Sequence, residues 1–458
     1  MGIKKYIGSR EFYKMTLVVV LPVMLQNFIT NFVNMLDNLM VGTLGTEPMS
    51  GVSIVNQIIF IFNLAIFGGL GGVGIFTAQF YGKKDEEGIR HTLRYKLLLS
   101  VLLSAAALII LLLFDSQLIS FFLHETEAED NIELTLACAR CYLKVMLWGL
   151  LPFAVTNVFS STLRETGDTL TPMLAGISAV VTNCLFNFLL IFGKLGFPRL
   201  EVEGAAIATV LSRFVECFIL IIYAFSHRHR FPYIKGAFKS FYIPGETFML
   251  ITRKGMPLLI NEILWSGSMA TLSVAFSMHG LTVVAAYSIS STVTNLFHIA
   301  FISMGTGIGI ISGKLLGASQ HEEAVDAVRK LTVFSVFITA LVGVVMFVIG
   351  GEIPRLYNTG DAEKALASYF IRTCAFTAPM CAFANSCYFA LRSGGKTVIT
   401  FLFDCGSMWL LSVPLAFILY FAGLDIHIVF PIVQCIEFIK DIIGYILVKK
   451  RVWVKTII

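Results

Sequence analysis

Charge is scarce in this chain. Asp, Glu, Lys and Arg together make up only 14% of its 458 residues, against roughly 25% in soluble domains, so a solvated globular surface is excluded. Cysteine is present but unorganised: the nine Cys are scattered, mostly through apolar stretches, and form no disulfide framework. Cys138 and Cys141 make a lone CxxC with no second pair and no suitably placed His, so a helix of small apolar residues is preferred to a zinc or redox centre. No series of segments shows the ~10-residue alternation that a spanning strand needs, which sets a β-barrel aside. Neither HExxH nor GxSxG occurs, and no His/Cys cluster, so an enzyme is not expected and neither is a cofactor. The net charge of +5 gives little support for nucleic-acid binding.

What replaces charge is apolar length. Hydrophobic residues account for 57% of the chain, Phe alone for 40 positions, and the mean hydropathy is +0.81. A bilayer core of ~30 Å takes ~20 apolar residues per helix. Spans are predicted near 15–41, 52–81, 95–114, 136–162, 172–192, 203–225, 256–278, 284–313, 331–350, 366–390, 398–421 and 427–448. The expected fold class is therefore an all-α integral membrane protein of twelve transmembrane helices. Lys and Arg concentrate in alternate connections, at Lys4–Lys14, Lys83–Lys96, Arg228–Lys254 and Lys449–Lys455, and these faces are assigned to the cytoplasm with both termini. Gly42–Gly51 and the acidic stretch Asp115–Glu133 lie on the other side. The first helix carries no small-residue cleavage pattern and reads as retained.

The chain is also written twice. Pro22, Gly45, Ser53, Phe62, Gly72, Gly74, Gly82, Glu87 and Arg94 recur 235 residues later as Pro257, Gly280, Ser288, Phe297, Gly307, Gly309, Gly317, Glu322 and Arg329. Asn157, Leu163, Arg164, Gly167 and Thr169 recur at an offset of 228 as Asn385, Leu391, Arg392, Gly395 and Thr397. The expected organisation is an N-lobe at 1–226 with six helices, a cytoplasmic linker at 227–245, and a C-lobe at 246–458 with six more. A duplicated membrane chain is first a transporter candidate, because two similar bundles can rock around a site. The linker interleaves Phe and Tyr with basic residues, and lying on the anionic inner leaflet is preferred to a partner motif. Gly69–Gly74 spells the dinucleotide fingerprint GxGxxG, but inside an apolar helix with no preceding strand, so packing or a kink is the better account.

Charge inside the membrane needs a reason, since it costs about 2.5–3.5 kcal/mol on insertion scales. The first helix gathers Gln26, Asn27, Thr30, Asn31, Asn34, Asp37 and Asn38 on one broad face, like the wall of a wet cavity. Asp37 would lie toward the outer half, and the competing reading is an acid at a helix end near headgroups. Asn183 and Asn187, four apart, share a face of the fifth helix, and Thr209 and Asn157 add oxygens at comparable depth. One carboxylate with neutral oxygens can hold Na+, and the same carboxylate desolvated can take H+; both remain open. The second copy has different acids, Glu262 and Asp404, placed as candidate cavity residues with Trp265 and Asn385. Glu437 with Lys440, and Arg213 with Glu216, read as mutual neutralisation.

The run Asp37-Asn-Leu-Met-Val-Gly42, the loop Leu163–Pro172, the Gly204–Thr209 run and the duplicated plan resemble the multidrug and toxic compound extrusion (MATE) antiporters over essentially the whole chain. The resemblance implies two six-helix lobes related by a pseudo-two-fold axis around a V-shaped cavity. It further implies export of organic, often cationic compounds in exchange for H+ or Na+ at a prokaryotic plasma membrane. The partners it implies are a small organic substrate and membrane lipids, with the protein working as a monomer. In prokaryotic members an acid of the first helix, an Asn and an Asp of the fifth and a Thr of the sixth build a cation site; here these fall on Asp37, Asn183, Asn187 and Thr209, with Asn187 standing where some members have Asp. Glu262 resembles a seventh-helix Glu of one branch, at a different spacing from its Pro. A lipid-linked-precursor flippase of the same broader superfamily is the alternative, for which more basic cavity residues would be expected.

Overall fold

In the computed structural model the described residues are 5–123, 132–357 and 359–458, with the side chains of 33–36, 38, 39, 46, 121–123 and 132 excepted. Among them there is no strand. The helices are α1 (Arg10–Gly42), α2 (Thr46–Lys83), α3 (Glu86–Leu113), α4 (Asp115–Leu123), α5 (Ile132–Met146), α6 (Leu150–Glu165), α7 (Leu170–Phe192), α8 (Glu201–Ser226), α9 (Gly245–Ser277), α10 (Leu281–Gly317), α11 (His321–Ile349), α12 (Asp361–Ser393), α13 (Thr397–Phe401), α14 (Val413–Phe421), α15 (Ile426–Gln434) and α16 (Ile436–Lys449). Eleven described helical spans are long and apolar enough to cross a bilayer. The chain is an all-α integral membrane protein.

The predicted fourth span is α5 and α6 joined by a 3-10 turn at Leu147–Gly149. The predicted eleventh runs from α13 through two π-helical segments, Leu402–Gly406 and Met408–Ser412, into α14. The wider turns end just before Pro414, which has no N–H to give the preceding turn. The predicted twelfth is interrupted at Cys435, leaving α15 and α16 each too short to count as a span. Pro431 lies inside α15 and removes one of its backbone donors. The stretch 115–133, expected as a connection, opens with α4, whose Ile119 is fully buried.

Element bounds repeat as the residues do. Helix α9 starts and ends 235 residues after α1, and α10 and α11 start 235 residues after α2 and α3. Pro22 and Pro257 sit at the same place inside α1 and α9.

The chain divides into two compact units: a C-terminal unit of Met1–Met24, Ala78–Asp85 and Thr252–Ile458, and an N-terminal unit of Leu25–Thr77 and Glu86–Ile251. In the C-terminal unit the ends of α2 and α10 cross at glycines. A Cβ on Gly82 would fall 2.0 Å from the Lys314 carbonyl oxygen, and one on Gly317 would fall 1.9 Å from that of Gln79. Positions 79 and 314, like 82 and 317, are equivalent in the two copies, so the contact is reciprocal in the manner of a local two-fold. Backbones this close are what small residues allow in lipid.

Each unit carries a cap from the segment that follows its last helix. In the N-terminal unit Phe231, Tyr233, Ile234 and Ala237 are buried. Arg94 donates to the Ala237 and Tyr242 carbonyls, both at 2.8 Å, and the Tyr233 hydroxyl meets Thr166 Oγ1 at 3.0 Å. The linker is thus docked on its own unit; only Phe241 and Tyr242 among its aromatics are strongly exposed. In the C-terminal unit Trp453 is fully buried, the Ile457 N–H donates to Gln79 Oε1 at 2.9 Å, and Gln79 Nε2 donates to the Ser393 carbonyl at 2.9 Å.

Candidate functional site: two carboxylate–amide pairs

In the N-terminal unit, helices α1, α7 and α8 bring Asp37, Asn183, Asn187 and Thr209 together. Asn187 Nδ2 donates to Asp37 Oδ1 at 2.6 Å. The Asn183 amide satisfies its surroundings when its nitrogen faces Asp37, donating to Oδ1 and Oδ2 at 2.8 and 3.1 Å while its oxygen faces the Thr209 hydroxyl at 3.3 Å. The helical spacing of Asn183 and Asn187 puts both amides on one side of the carboxylate. Among the described residues no Lys or Arg forms an ion pair with Asp37; its hydrogen-bond donors are uncharged amides. Asn187 is only 1% exposed, and its Oδ1 finds no donor. Asp37 is therefore inside a polar cluster rather than free at a helix end.

Asn157 is not drawn into this cluster by any hydrogen bond found: its amide donates to the Phe153 carbonyl one turn back, at 2.8 Å. On α1, Asn31 likewise donates to the Asn27 carbonyl at 2.8 Å, and Thr30 and Asn31 are exposed. The side chains of Asn34 and Asn38 lie outside the described residues. Sequence reasoning missed Tyr142, buried on α5, whose hydroxyl donates to Asn56 Oδ1 at 3.2 Å and comes within reach of Thr209. Arg213 is close to the same Tyr142. It donates to the Gly149 carbonyl at 3.3 Å and stacks over Phe153 at 5.0 Å, with Glu216 as an electrostatic neighbour. A lone buried Tyr on a helix gives no sequence signal of its partner.

The C-terminal unit holds a second pair. Asn261 Nδ2 on α9 donates to Asp404 Oδ2 at 3.1 Å, Asp404 standing on the first π-helical segment. The other carboxylate oxygen, Oδ1, receives Lys440 Nζ of α16 at 3.4 Å, and Lys440 also reaches Glu437 Oε1 at 3.2 Å. Lys440 neutralises Glu437 as the spacing suggests, but Asp404 shares it. Glu262, the next residue after Asn261, accepts from the Tyr388 hydroxyl at 3.3 Å, with Arg392 an electrostatic neighbour. Asn385 is set apart on α12, its Oδ1 buried without a donor and facing Gly305. Trp265 packs against the hydrophobic cluster of Leu272, Phe276 and Phe430. No group of three or more His, Cys, Asp or Glu suited to a metal occurs among the described residues, and the Cys138-Cys141 pair is of free thiols.

Gly74, from the false dinucleotide fingerprint, lies in mid-helix where a Cβ would strike Glu165 Oε1 at 2.2 Å. Glu165 in turn holds the fully buried Lys96 at 2.6 Å, with Ser161 and Thr162 completing the ammonium's partners. That glycine serves packing.

The MatE family model matches residues 22–189 and again 257–418. The chain belongs to the MatE family. It is 26% identical over 409 residues to the "Probable multidrug resistance protein NorM" of Thermotoga maritima, covering 89% of this chain and 86% of the relative, and 25% identical over 399 residues to the "Probable multidrug resistance protein YoeA" of Bacillus subtilis, covering 87% and 85%. Among solved structures it resembles a MOP superfamily transporter from Pyrococcus furiosus (TM-score 0.87, 21% identity, 99% of each chain). It also resembles an outward-facing multidrug resistance MATE family transporter (TM-score 0.84, 21% identity, 98% of each chain). Membership of MatE makes the chain a membrane transporter and not an enzyme.

Proposed function

We propose that this MatE protein is a cation-coupled antiporter exporting small organic, cationic or amphipathic compounds by alternating access. It would work as a monomer in a prokaryotic plasma membrane with both termini in the cytoplasm. The observation that carries the reading is the Asp37 cluster: a membrane-embedded carboxylate held by two amides, without a lysine or arginine counter-ion among the described residues. A carboxylate so placed can accept a positive ion and release it again, which a permanently paired acid cannot do. The multidrug-resistance names of the relatives support an organic substrate, as does the duplicated plan.

H+ asks least of the site, because one Asp37 oxygen takes it while the amides keep donating to the other. Na+ asks for oxygen ligands, so the amides would have to turn; the unpartnered Asn187 Oδ1 is the atom that favours this second reading. Substrate flux in proteoliposomes under a pH gradient and, separately, a Na+ gradient tests both. Export driven by one gradient and lost in Asp37→Asn is expected. Movement of a polyprenyl-pyrophosphate lipid without gradient-driven export of any organic cation would replace this reading by a flippase.

A further inference from the structure

The C-terminal unit has the parts of a cation site, already filled. Asp404 and Glu437 bring two carboxylates within 3.4 and 3.2 Å of one nitrogen, Lys440 Nζ, which also lies 5.8 Å from the centre of the Phe403 ring. Two acids, an amide and an aromatic face are what a small cation in a low-dielectric setting would be offered. Asn261 supplies the amide, and it is disposed as Asn187 is. It is 1% exposed, its Nδ2 is on the carboxylate, and its Oδ1 is buried without a donor. A buried amide oxygen with nothing to accept is costly, and a bound cation is one way to satisfy it. Here the ammonium reaches the two acids and leaves that oxygen unused.

We propose that Lys440 is a tethered cation occupying the acidic site of the C-terminal unit, so that this unit is closed to the coupling ion and the Asp37 site alone exchanges it. The inference rests on the antiport reading above. An ammonium fixed to the chain cannot leave, so in the state seen here it stands between the Asp404 and Glu437 carboxylates where a mobile cation would otherwise sit. Taking Lys440 away leaves two carboxylates and Asn261 Oδ1 for a mobile ion. Na+ then becomes the occupant the oxygen set suits.

Equilibrium binding of radioactive Na+ to purified protein at mildly alkaline pH, with choline balancing ionic strength, reads this directly. Asp37→Asn is used as the background so that the N-terminal site is silent. In that background Lys440→Met is expected to raise saturable Na+ from none to about one per protein. Adding Asp404→Asn should remove it, while Lys440→Arg, which keeps a tethered positive charge beside the two acids, should keep the site closed. Na+ but not choline should raise the melting temperature of the Lys440→Met protein. A folded Lys440→Met protein without Na+ binding overturns the proposal. So does a failure of both Lys440→Met and Lys440→Gln to fold even when purified in Na+, because a free cation should then replace the tethered one. Gradient-driven transport by Asp37→Asn itself would instead defeat the antiport reading of Asp37, leaving the comparison of Lys440 variants independently readable.

Discussion

The two units hold the same pair of side chains with the roles exchanged. In the N-terminal unit the acid is on α1 (Asp37) and the amide on α7 (Asn187); in the C-terminal unit the amide is on α9, the repeat of α1, and the acid lies in the segment opened by α13, the repeat of α7. Both amides give Nδ2 to the carboxylate and bury an unused Oδ1. The difference is Lys440, an ion-pair partner for Asp404 with none found for Asp37. The pairs do not stand at equivalent positions of the repeat, since Asn261 answers to Gln26 and Asp404 to Gly176; each unit has its own carboxylate against an amide, and among the described residues only that of the C-terminal unit carries an ammonium. The caps differ too: buried aromatics held by Arg94 and by the Tyr233 hydroxyl, against a fully buried Trp453 with a tail bonded to Gln79.

The strongest way to break the comparison is at the acids. Asp37→Asn should reduce gradient-driven export in proteoliposomes to background while leaving expression and much of substrate binding intact; full flux would mean that Asp37 is not the exchanging group. Next come the caps. Trp453→Ala should cost about 3–5 kcal/mol from the lost buried ring, whereas Tyr233→Phe, which removes the hydroxyl that meets Thr166, should cost about 1 kcal/mol; unfolding of the purified proteins compares them. Equal losses would say that the caps are not different in kind.

A subtler change sharpens the difference. Asn187→Asp gives the N-terminal site a second acid and should shift the driving gradient toward Na+, read as the ratio of Na+-driven to pH-driven flux. Asn261→Asp, beside the lysine-filled pair, should leave that ratio unmoved.

The smallest effect expected lies outside the membrane, at the turn before α15. There the His427 backbone N–H and the His427 ring, both on Asp425 Oδ1 at 2.8 and 2.6 Å, hold the Asp425 carboxyl below the usual carboxylate range. A depressed folded pKa gives stability that is complete above the ordinary carboxylate pKa and is lost as pH falls through the lower folded value. Asp425→Asn should therefore flatten a slight acid-side fall in melting temperature and leave neutral-pH transport alone. An unchanged acid limb would remove Asp425 from the account.

Much of this was legible without coordinates, and for stated reasons. Low charge and long apolar runs decide the solvent, since backbone groups in lipid must be satisfied within helices. Offsets of 235 and 228 marked where the helices repeat. Helical spacing put Asn183 and Asn187 on one face, whereas their meeting with Asp37 and Thr209 of other helices was what the MATE resemblance implied. Asn157 fell outside the bonded set because a nearby carbonyl one turn back is an equal partner for its amide. Trp265 went to the hydrophobic cluster because its large ring is worth more there than beside the acids.

The sequence by itself thus determined an all-helical membrane protein of doubled design and nominated the acid of the N-terminal half. Only the tertiary structure decided that Lys440 is shared between Glu437 and Asp404, that Asn261 rather than Glu262 bonds Asp404, and that the linker folds back on its own unit. Spacing along a helix predicts neighbours three or four residues apart, as for Glu437 and Lys440. It carries no information about which side chain from another helix completes the charge balance, because that depends on how the helices cross, here on where the π-helical segment carrying Asp404 meets α9 and α16.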